Sequence, residues 1–451
     1  MTPSLRRGLI PIGMVLTMGC WSLLHLYQNN WQLVNTNAQL RWMLQTFLLL
    51  PVLSVVFILF MQRYIRIKWL ALGMAFAWIP VVVIIAVTGS VAYKTLALSG
   101  LVGAAVGYLV RRHAVKVLLL EVVVLFTAFV SYVFAVKIET GPEPAPGLEL
   151  MANIAVTDER PNIYVLQPDG YVSPATLRKQ PYALQEATIQ AALEQRGFSW
   201  NLDFESNYDN TLESNASLFR AGYLPESRIA LRKAIVQNNN MLRFLKEHGY
   251  RAHLVTDTPY LIMNGIAPSF DTYSFQDEDL PPLNRAFRSR SDTLEELGEL
   301  LATNDKQSRF VFMERLVPGH VAVHESNSDG VEGERIKYVN AISDANAWII
   351  AAVDSILASD KSAVILILAD HGGFVGLSTS TDTREALGNE ILLRSIYSAA
   401  YALRLPDAEA PQYALPNSTV NVFPHLLCEL FHCPNWPDQM LPDKRILSSS
   451  E

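Results

Sequence analysis

The first 138 residues hold five long apolar runs and a single acidic residue, and such a stretch cannot fold as a water-soluble domain. The runs are Gly8–Tyr27, Met43–Met61, Trp69–Val87, Ala92–Val110 and Val117–Val136. A helix needs about 20 apolar residues to cross a bilayer core, and each run meets or approaches that length. Five in series also argue against a cleaved signal peptide. Gly100, Gly103 and Gly107 in the fourth run suit close helix packing in lipid. The expectation is a domain of five transmembrane helices over residues 1–138.

Loop charge sets the direction of these spans. Arg6 and Arg7 precede the first. Arg63, Arg66 and Lys68 fill the second connection, and Arg111, Arg112 and Lys116 the fourth. The first connection carries only Arg41 and the third only Lys94. Basic residues therefore collect on the side of the N-terminus, which predicts a cytoplasmic N-terminus and export of everything after Lys137. Glu121 lies about one turn inside the fifth run. Its nearness to Lys116 and the interface reads as a snorkelling or paired residue, with a functional intramembrane acid as the alternative.

The exported half is chemically opposite. Up to Ile138 the chain carries a charge of +10, so the remainder carries −17 within the formal −7 of the whole. An acidic domain lacks the Lys/Arg surface that phosphate neutralisation requires, which excludes nucleic acid as a partner. Within residues 139–160, Thr140–Gly147 (TGPEPAPG) reads as an extended linker, because three closely spaced prolines forbid a helix. Residues 161–451 form the exported domain. Of the three cysteines, Cys20 lies in the first run. Cys428 and Cys433 either close a small disulfide loop or remain two thiols.

From Asn162 onward, short β-rich runs alternate with helical periodicity. Asn162–Leu166, Ala252–Thr256, Phe310–Glu314 and Ala363–Ala369 read as buried strands, and Ile229–His248 and Tyr338–Ala358 as amphipathic helices. That alternation predicts an α/β sandwich around a largely parallel sheet, whose reactive residues gather beyond the carboxyl ends of the strands. Two such ends stand out. The first strand runs into Pro168-Asp169-Gly170, and the very apolar Ala363–Ala369 runs into Asp370-His371-Gly372-Gly373. Taken alone, a strand ending in Asp-Gly is commonly a turn. Together the two ends deliver two carboxylates and an imidazole, a donor set that Zn²⁺ or Mn²⁺ accepts.

At these residues the sequence resembles the sulfatase-like branch of the alkaline phosphatase superfamily, which includes lipoteichoic acid synthases and phosphoethanolamine transferases. The resemblance covers most of Pro161–Phe431. It rests on PNIYVLQPDGY, on FLKEHGYRAHLVTD (Phe244–Asp257), on AVILILADHGG and on NSTVNVFPHLLCELF (Asn417–Phe431). It implies Asp169, Asp370 and His371 as metal ligands. The C/S-x-P-x-R motif of true sulfatases is absent, and Ser206–Gly222 (SNYDNTLESNASLFRAG) is instead similar to the nucleophile segment of the transferases. On that match Thr211 is both nucleophile and metal ligand, with Ser214 and Ser217 as the alternative nucleophiles, or else as helix-face or capping hydroxyls. Pro318-Gly319-His320 stands where the family often has a histidine near the transferred phosphate. His320 is then a phosphate-binding or general-acid group, or a solvated loop histidine, as His324 is. His248, His253, His425 and His432 show no site pattern.

The resemblance implies an enzyme of the bacterial inner membrane with its catalytic domain in the periplasm. It would pass a phospholipid headgroup, phosphoglycerol or phosphoethanolamine, through a phospho-Thr intermediate to an envelope glycan or lipid acceptor. The alternatives are a phosphodiesterase or sulfatase-like hydrolase with water as acceptor, and a non-catalytic lipid-sensing pseudoenzyme.

Overall fold

The structure, a computed structural model, describes residues 93–135, most of 160–447 and isolated positions elsewhere. The chain divides into two compact units, one built mainly from residues 1–140 and one mainly from residues 141–451. In the first, helices cover Tyr93–Val110 and Ala114–Ala135, on the fourth and fifth apolar runs. Most of the first three runs lies outside the described residues. Gly103 packs so tightly on the third run that a Cβ there would stand 2.3 Å from Gly73 O and 2.6 Å from Ala77 Cβ. Small residues thus let these helices approach, as expected of packing in lipid. Leu101, Leu109, Leu119, Leu120 and Val123 face outward, a continuous apolar exposure that water does not favour.

Among the described residues, the one helix that by length and hydropathy could cross a bilayer is Gly330–Ser359, in the second unit. It is a core helix of the α/β unit. Trp348, Ile349, Ala352, Val353 and Ile356 are buried, and Trp348 Nε1 donates to Thr293 Oγ1 at 3.0 Å. The shorter apolar stretch found in the first unit is Ala97–Leu109.

The second unit is built on a seven-stranded sheet. Its strands are β1 (Ile163–Pro168), β2 (Ser199–Trp200), β3 (Arg251–Thr256), β4 (Thr272–Tyr273), β5 (Arg309–Arg315), β6 (Val364–Leu368) and β7 (Tyr401–Arg404). Their order is β2-β7-β6-β1-β5-β3-β4. The five strands from β6 to β4 run parallel, while β7 and β2 add antiparallel edges. The largely parallel sheet is therefore mixed at one side. β1 and β6 are buried along their whole length, which explains why they read as unbroken apolar runs rather than alternating ones. The four strands expected from sequence are β1, β3, β5 and β6. β2, β4 and β7 were not expected, since two to four residues are too few to show a period.

Two helices differ from the sequence expectation. The helix expected over Ile229–His248 is two, Leu231–Val236 and Asn240–Glu247. The break falls at a run of asparagines, where the Asn239 side chain accepts from Leu242 N at 2.6 Å and starts a new helix. Asparagine amides compete with helical backbone bonds in this way. The expected Tyr338–Ala358 is the greater part of Gly330–Ser359. Near the C-terminus Cys428 and Cys433 form a disulfide, which closes the alternative left open by their spacing.

The helix Thr211–Arg220 lies on the sheet through Phe219, whose ring centroid is 5.0 Å from that of Phe312 on β5 and 5.4 Å from that of Phe423. Phe219 and Phe312 have no exposed surface. Phe219→Ala should therefore lower the stability of this unit by about 3–5 kcal/mol, with a smaller loss for Phe219→Leu. Urea unfolding of the full chain in detergent, followed by circular dichroism, measures this. An unchanged midpoint for the alanine variant would contradict the packing role.

Candidate metal centre

Four side chains converge beyond the carboxyl ends of β1 and β6. Asp169 follows β1, and Asp370 and His371 follow β6, so the adjacent parallel strands deliver them side by side. Thr211 arrives from above as the first residue of its helix. The preceding Asn210 caps that helix, accepting from Glu213 N at 2.9 Å, while Glu213 Oε2 accepts from Asn210 Nδ2 at 3.0 Å. Because Asn210 does the capping, the Thr211 hydroxyl is free to turn to the cluster. Thr211 Oγ1 lies 3.3 Å from Asp169 Oδ1 and 3.2 Å from His371 Nε2. His371 Nε2 is 3.2 Å from Asp370 Oδ2 and 3.9 Å from Asp169 Oδ1. All four residues are buried.

This set fits a divalent cation. A tetrahedral Zn²⁺ with N and O donors at about 2.0–2.1 Å has donor–donor edges of about 3.3–3.4 Å, and three of the four separations fall near that value. Among the described residues, Asp370 Oδ2 is buried and finds no hydrogen-bond partner, although the His371 ring lies close, so it is available as a ligand. Asp370 Oδ1 instead accepts from Gly170 N at 3.0 Å. His371 Nδ1 donates to Gly372 O at 2.8 Å, which leaves the Nε2 lone pair directed at the cluster. The donors are three oxygens and one nitrogen, acceptable to Zn²⁺ and to Mn²⁺.

The electrostatics point the same way. Burial first, and then the charge of Asp370, pushes the Asp169 carboxyl up to about 8. Burial alone disfavours the His371 imidazolium, but Asp370 and Asp169 outweigh it and raise the ring above its ordinary value. Two carboxylates this close and this dry hold protons unless a cation takes their place.

The surrounding chain shows why glycines follow Asp169 and the Asp370-His371 pair. Gly170 sits at φ +66, and a Cβ there would stand 2.3 Å from Gly319 O. At Gly373 a Cβ would meet the Tyr338 ring at 2.2 Å. Tyr338 itself donates to Gly170 O at 2.8 Å and accepts from Val172 N at 3.2 Å, so the helix Gly330–Ser359 braces both turns. Gln167 and Asn215 exchange two amide hydrogen bonds of 2.8 and 2.9 Å, joining β1 to the Thr211 helix. Ser214 Oγ donates to Asp370 O at 2.5 Å, and Ser217 Oγ to Ser214 O, which are structural roles.

Other sequence-selected histidines separate clearly. The His320 ring centroid lies 5.6 Å from that of His371, and His320 Nδ1 donates to Val321 O at 2.7 Å. Burial and the neighbouring His371 lower its pKa, so the ring is neutral at pH 7. His324 is exposed, away from the cluster contacts. His248 bonds Phe244 O and His253 bonds Thr272 Oγ1, both within the scaffold. His425 is fully buried with Glu429 3.3 Å away. His432, and the Glu121 side chain, lie outside the described residues.

Sequence reasoning missed Tyr338 and Glu314. Glu314 on β5 stands opposite Gln167 in the register, fully buried, and neither carboxylate oxygen finds a partner among the described residues. Burial, followed by the charges of Asp169 and Asp370, raises it well above the ordinary range. The available signal was an acid at the end of the apolar run FVFME.

No family model and no curated protein matches the chain. Among solved structures it is similar to the integral membrane protein lipooligosaccharide phosphoethanolamine transferase A from Neisseria meningitidis. That pair shares 14% identity over 95% of this chain and 85% of that one, with a TM-score of 0.44. The zinc complex of the C-terminal periplasmic domain of EcEptC from Escherichia coli is similar at 12% identity, 60% and 82% coverage and TM-score 0.42. The lipoteichoic acid synthase LtaP from Listeria monocytogenes is similar at 15% identity, 63% and 78% coverage and TM-score 0.42.

A proton and a cation compete for Asp169, which gives a pH signature. An unfolded Asp titrates near 4, so in the cation-free protein stability falls as pH rises from about 4 to about 8. Bound cation removes that loss. The gap in thermal midpoint between Zn²⁺-loaded and chelator-treated protein should therefore widen across this window, and Asp370→Asn should remove most of it. A gap independent of pH would contradict the cluster's assignment.

Proposed function

We propose that the chain is a metal-dependent phosphotransferase of the cell envelope. It takes a headgroup such as phosphoglycerol or phosphoethanolamine from a phospholipid and passes it to a glycan or lipid hydroxyl. The observation that carries this reading is the Thr211 hydroxyl, buried and within 3.3 Å of both Asp169 Oδ1 and His371 Nε2. A threonine held only for capping has no reason to meet two ligand-type side chains.

Asp169, Thr211, Asp370 and His371 would hold the cation. When bound, it lowers the pKa of the threonine hydroxyl and offsets charge on the phosphoryl oxygens. The rest falls to the chain. The N-terminal end of the Thr211 helix presents a positive dipole to the incoming phosphate. Thr211 Oγ bonds to phosphorus as the bond to the diacylglycerol oxygen breaks, and that oxygen leaves with the proton. The acceptor hydroxyl then attacks the same phosphorus and the bond to Thr211 Oγ breaks. His320 is neutral, with Nδ1 engaged by Val321 O, so its Nε2 is suited to take the proton of the acceptor hydroxyl and return it to Thr211 Oγ as that oxygen leaves. This casts His320 as a base in the second half-reaction, where the family position alone suggested an acid or a phosphate ligand.

In this reading the membrane domain spans residues 1–138 with the N-terminus in the cytoplasm, and residues 161–451 work in the periplasm. The apolar helices and the basic even-numbered loops support that topology.

Two experiments test the chemistry. Thr211→Ala should reduce turnover of a headgroup-labelled phospholipid about a thousandfold or more, with metal content by mass spectrometry retained near one ion per chain. Turnover at the parent level would place the nucleophile elsewhere. His320→Ala should slow the second half-reaction more than the first, so that phospho-Thr211 accumulates and intact-mass analysis detects it. Loss of activity without that adduct would assign His320 to the first half-reaction.

A further inference from the structure

In the α/β unit, the large apolar side chains that face solvent among the described residues fall in two segments. Val323, Val331 and Ile336 follow β5, and Leu387 and Ile391 follow β6, with exposures of 44, 47, 48, 61 and 53%. Single exposed apolar residues are ordinary when scattered. These are not scattered: β5 leads to His320, and β6 leads to Asp370 and His371.

Backbone bonds stitch the two segments together. Val321 N donates to Gly373 O at 3.1 Å and Ser380 N to Ala322 O at 2.9 Å. Ser328 Oγ donates to Ser378 O at 2.6 Å and Thr381 Oγ1 to Val323 O at 3.3 Å. Tyr182 links the farther members. Its ring packs 5.1 Å from that of Tyr338, two residues from Ile336, and its hydroxyl meets Ser395 Oγ at 2.8 Å, in the helix Glu390–Tyr397 that carries Ile391. The two segments that carry the apolar side chains are thus joined beyond the sheet edge at which the metal cluster lies.

We infer that this rim seats in the surface of a lipid bilayer, in the leaflet that holds the phospholipid donor. The inference rests on the proposed function and goes beyond it by assigning the surface that meets the substrate. The same chain carries helices whose apolar side chains are also exposed, Leu101 at 71% and Leu109 at 73%, so it already belongs with lipid. A phospholipid's phosphodiester lies at the headgroup boundary, and apolar side chains lowered about 5–10 Å into that boundary bring the sheet edge that carries the cluster toward it. The charges nearby do not form a cationic patch. Arg335 pairs with Glu332 at 2.6 Å, and Lys337 with Asp329 at 2.8 Å and Glu334 at 2.7 Å. Seating is therefore apolar in origin and insensitive to salt.

The test uses the full chain in lipid nanodiscs. In Ile391→Trp, the added fluorescence should be quenched by phospholipid brominated near the top of the acyl chain, equally at low and high salt. Absence of that quenching overturns the inference, whether solvent or a second copy of the chain covers the rim. In Val323→Asp combined with Ile391→Asp, turnover of the bilayer phospholipid should fall about tenfold while that of a water-soluble aryl phosphodiester stays unchanged. Equal turnover of the bilayer lipid by this variant and the parent overturns it too. If the double variant loses both activities, the quenching experiment decides. If the parent turns over neither substrate yet the quenching appears, the functional reading fails and the seating stands.

Discussion

Two carboxylates, Asp169 and Asp370, are buried within reach of one imidazole nitrogen, and the rest of the α/β unit is arranged around that repulsion. Taking a carboxylate out of water costs several kcal/mol, and a second one beside it costs more. A proton or a cation must compensate, and the orphaned Asp370 Oδ2 marks where a cation is wanted. Parallel strands make the arrangement affordable, because β1 and β6 end at the same sheet edge and supply both acids without a long loop.

The cluster's geometry is held by parts remote in the chain. Gly170 and Gly373 give the backbone its close approaches, and Tyr338 occupies the space they leave. The Gln167–Asn215 amide pair and the Ser214 bond to Asp370 O fix the Thr211 helix to β1 and β6. The aromatic packing of Phe219 on Phe312 and Phe423 supplies the apolar weight behind that helix. Glu314 lies one strand over, buried and without a hydrogen bond among the described residues, and burial followed by the charges of Asp169 and Asp370 raises it well above the ordinary range.

Catalysis at such a site depends on which hydroxyl reaches it. Three hydroxyls of one helix were candidates, and two of them are spent on structure: Ser214 on Asp370 O and Ser217 on Ser214 O. Asn210 takes the capping duty that would otherwise claim Thr211. Which hydroxyl faces the cluster is thus selected by what its neighbours already do.

Much of this was legible in order along the chain. The five apolar runs, the basic alternation of their connections and the acidic second half follow from composition, because transfer free energy acts residue by residue. β1, β3, β5 and β6 were legible because strands buried on both faces are written as apolar runs, and Asp169, Asp370 and His371 because each follows such a run. The antiparallel β7 was not legible, since four residues carry no period, and the break at Asn239 was hidden inside an apolar pattern that continues through it. Whether Cys428 and Cys433 pair, which hydroxyl faces the cluster, and that Tyr338 and Glu314 stand beside it were decided by tertiary structure alone. Sequence specifies what each residue can bond, whereas only the packing of distant segments, with its short-range contacts of a few ångströms, specifies which bond it makes.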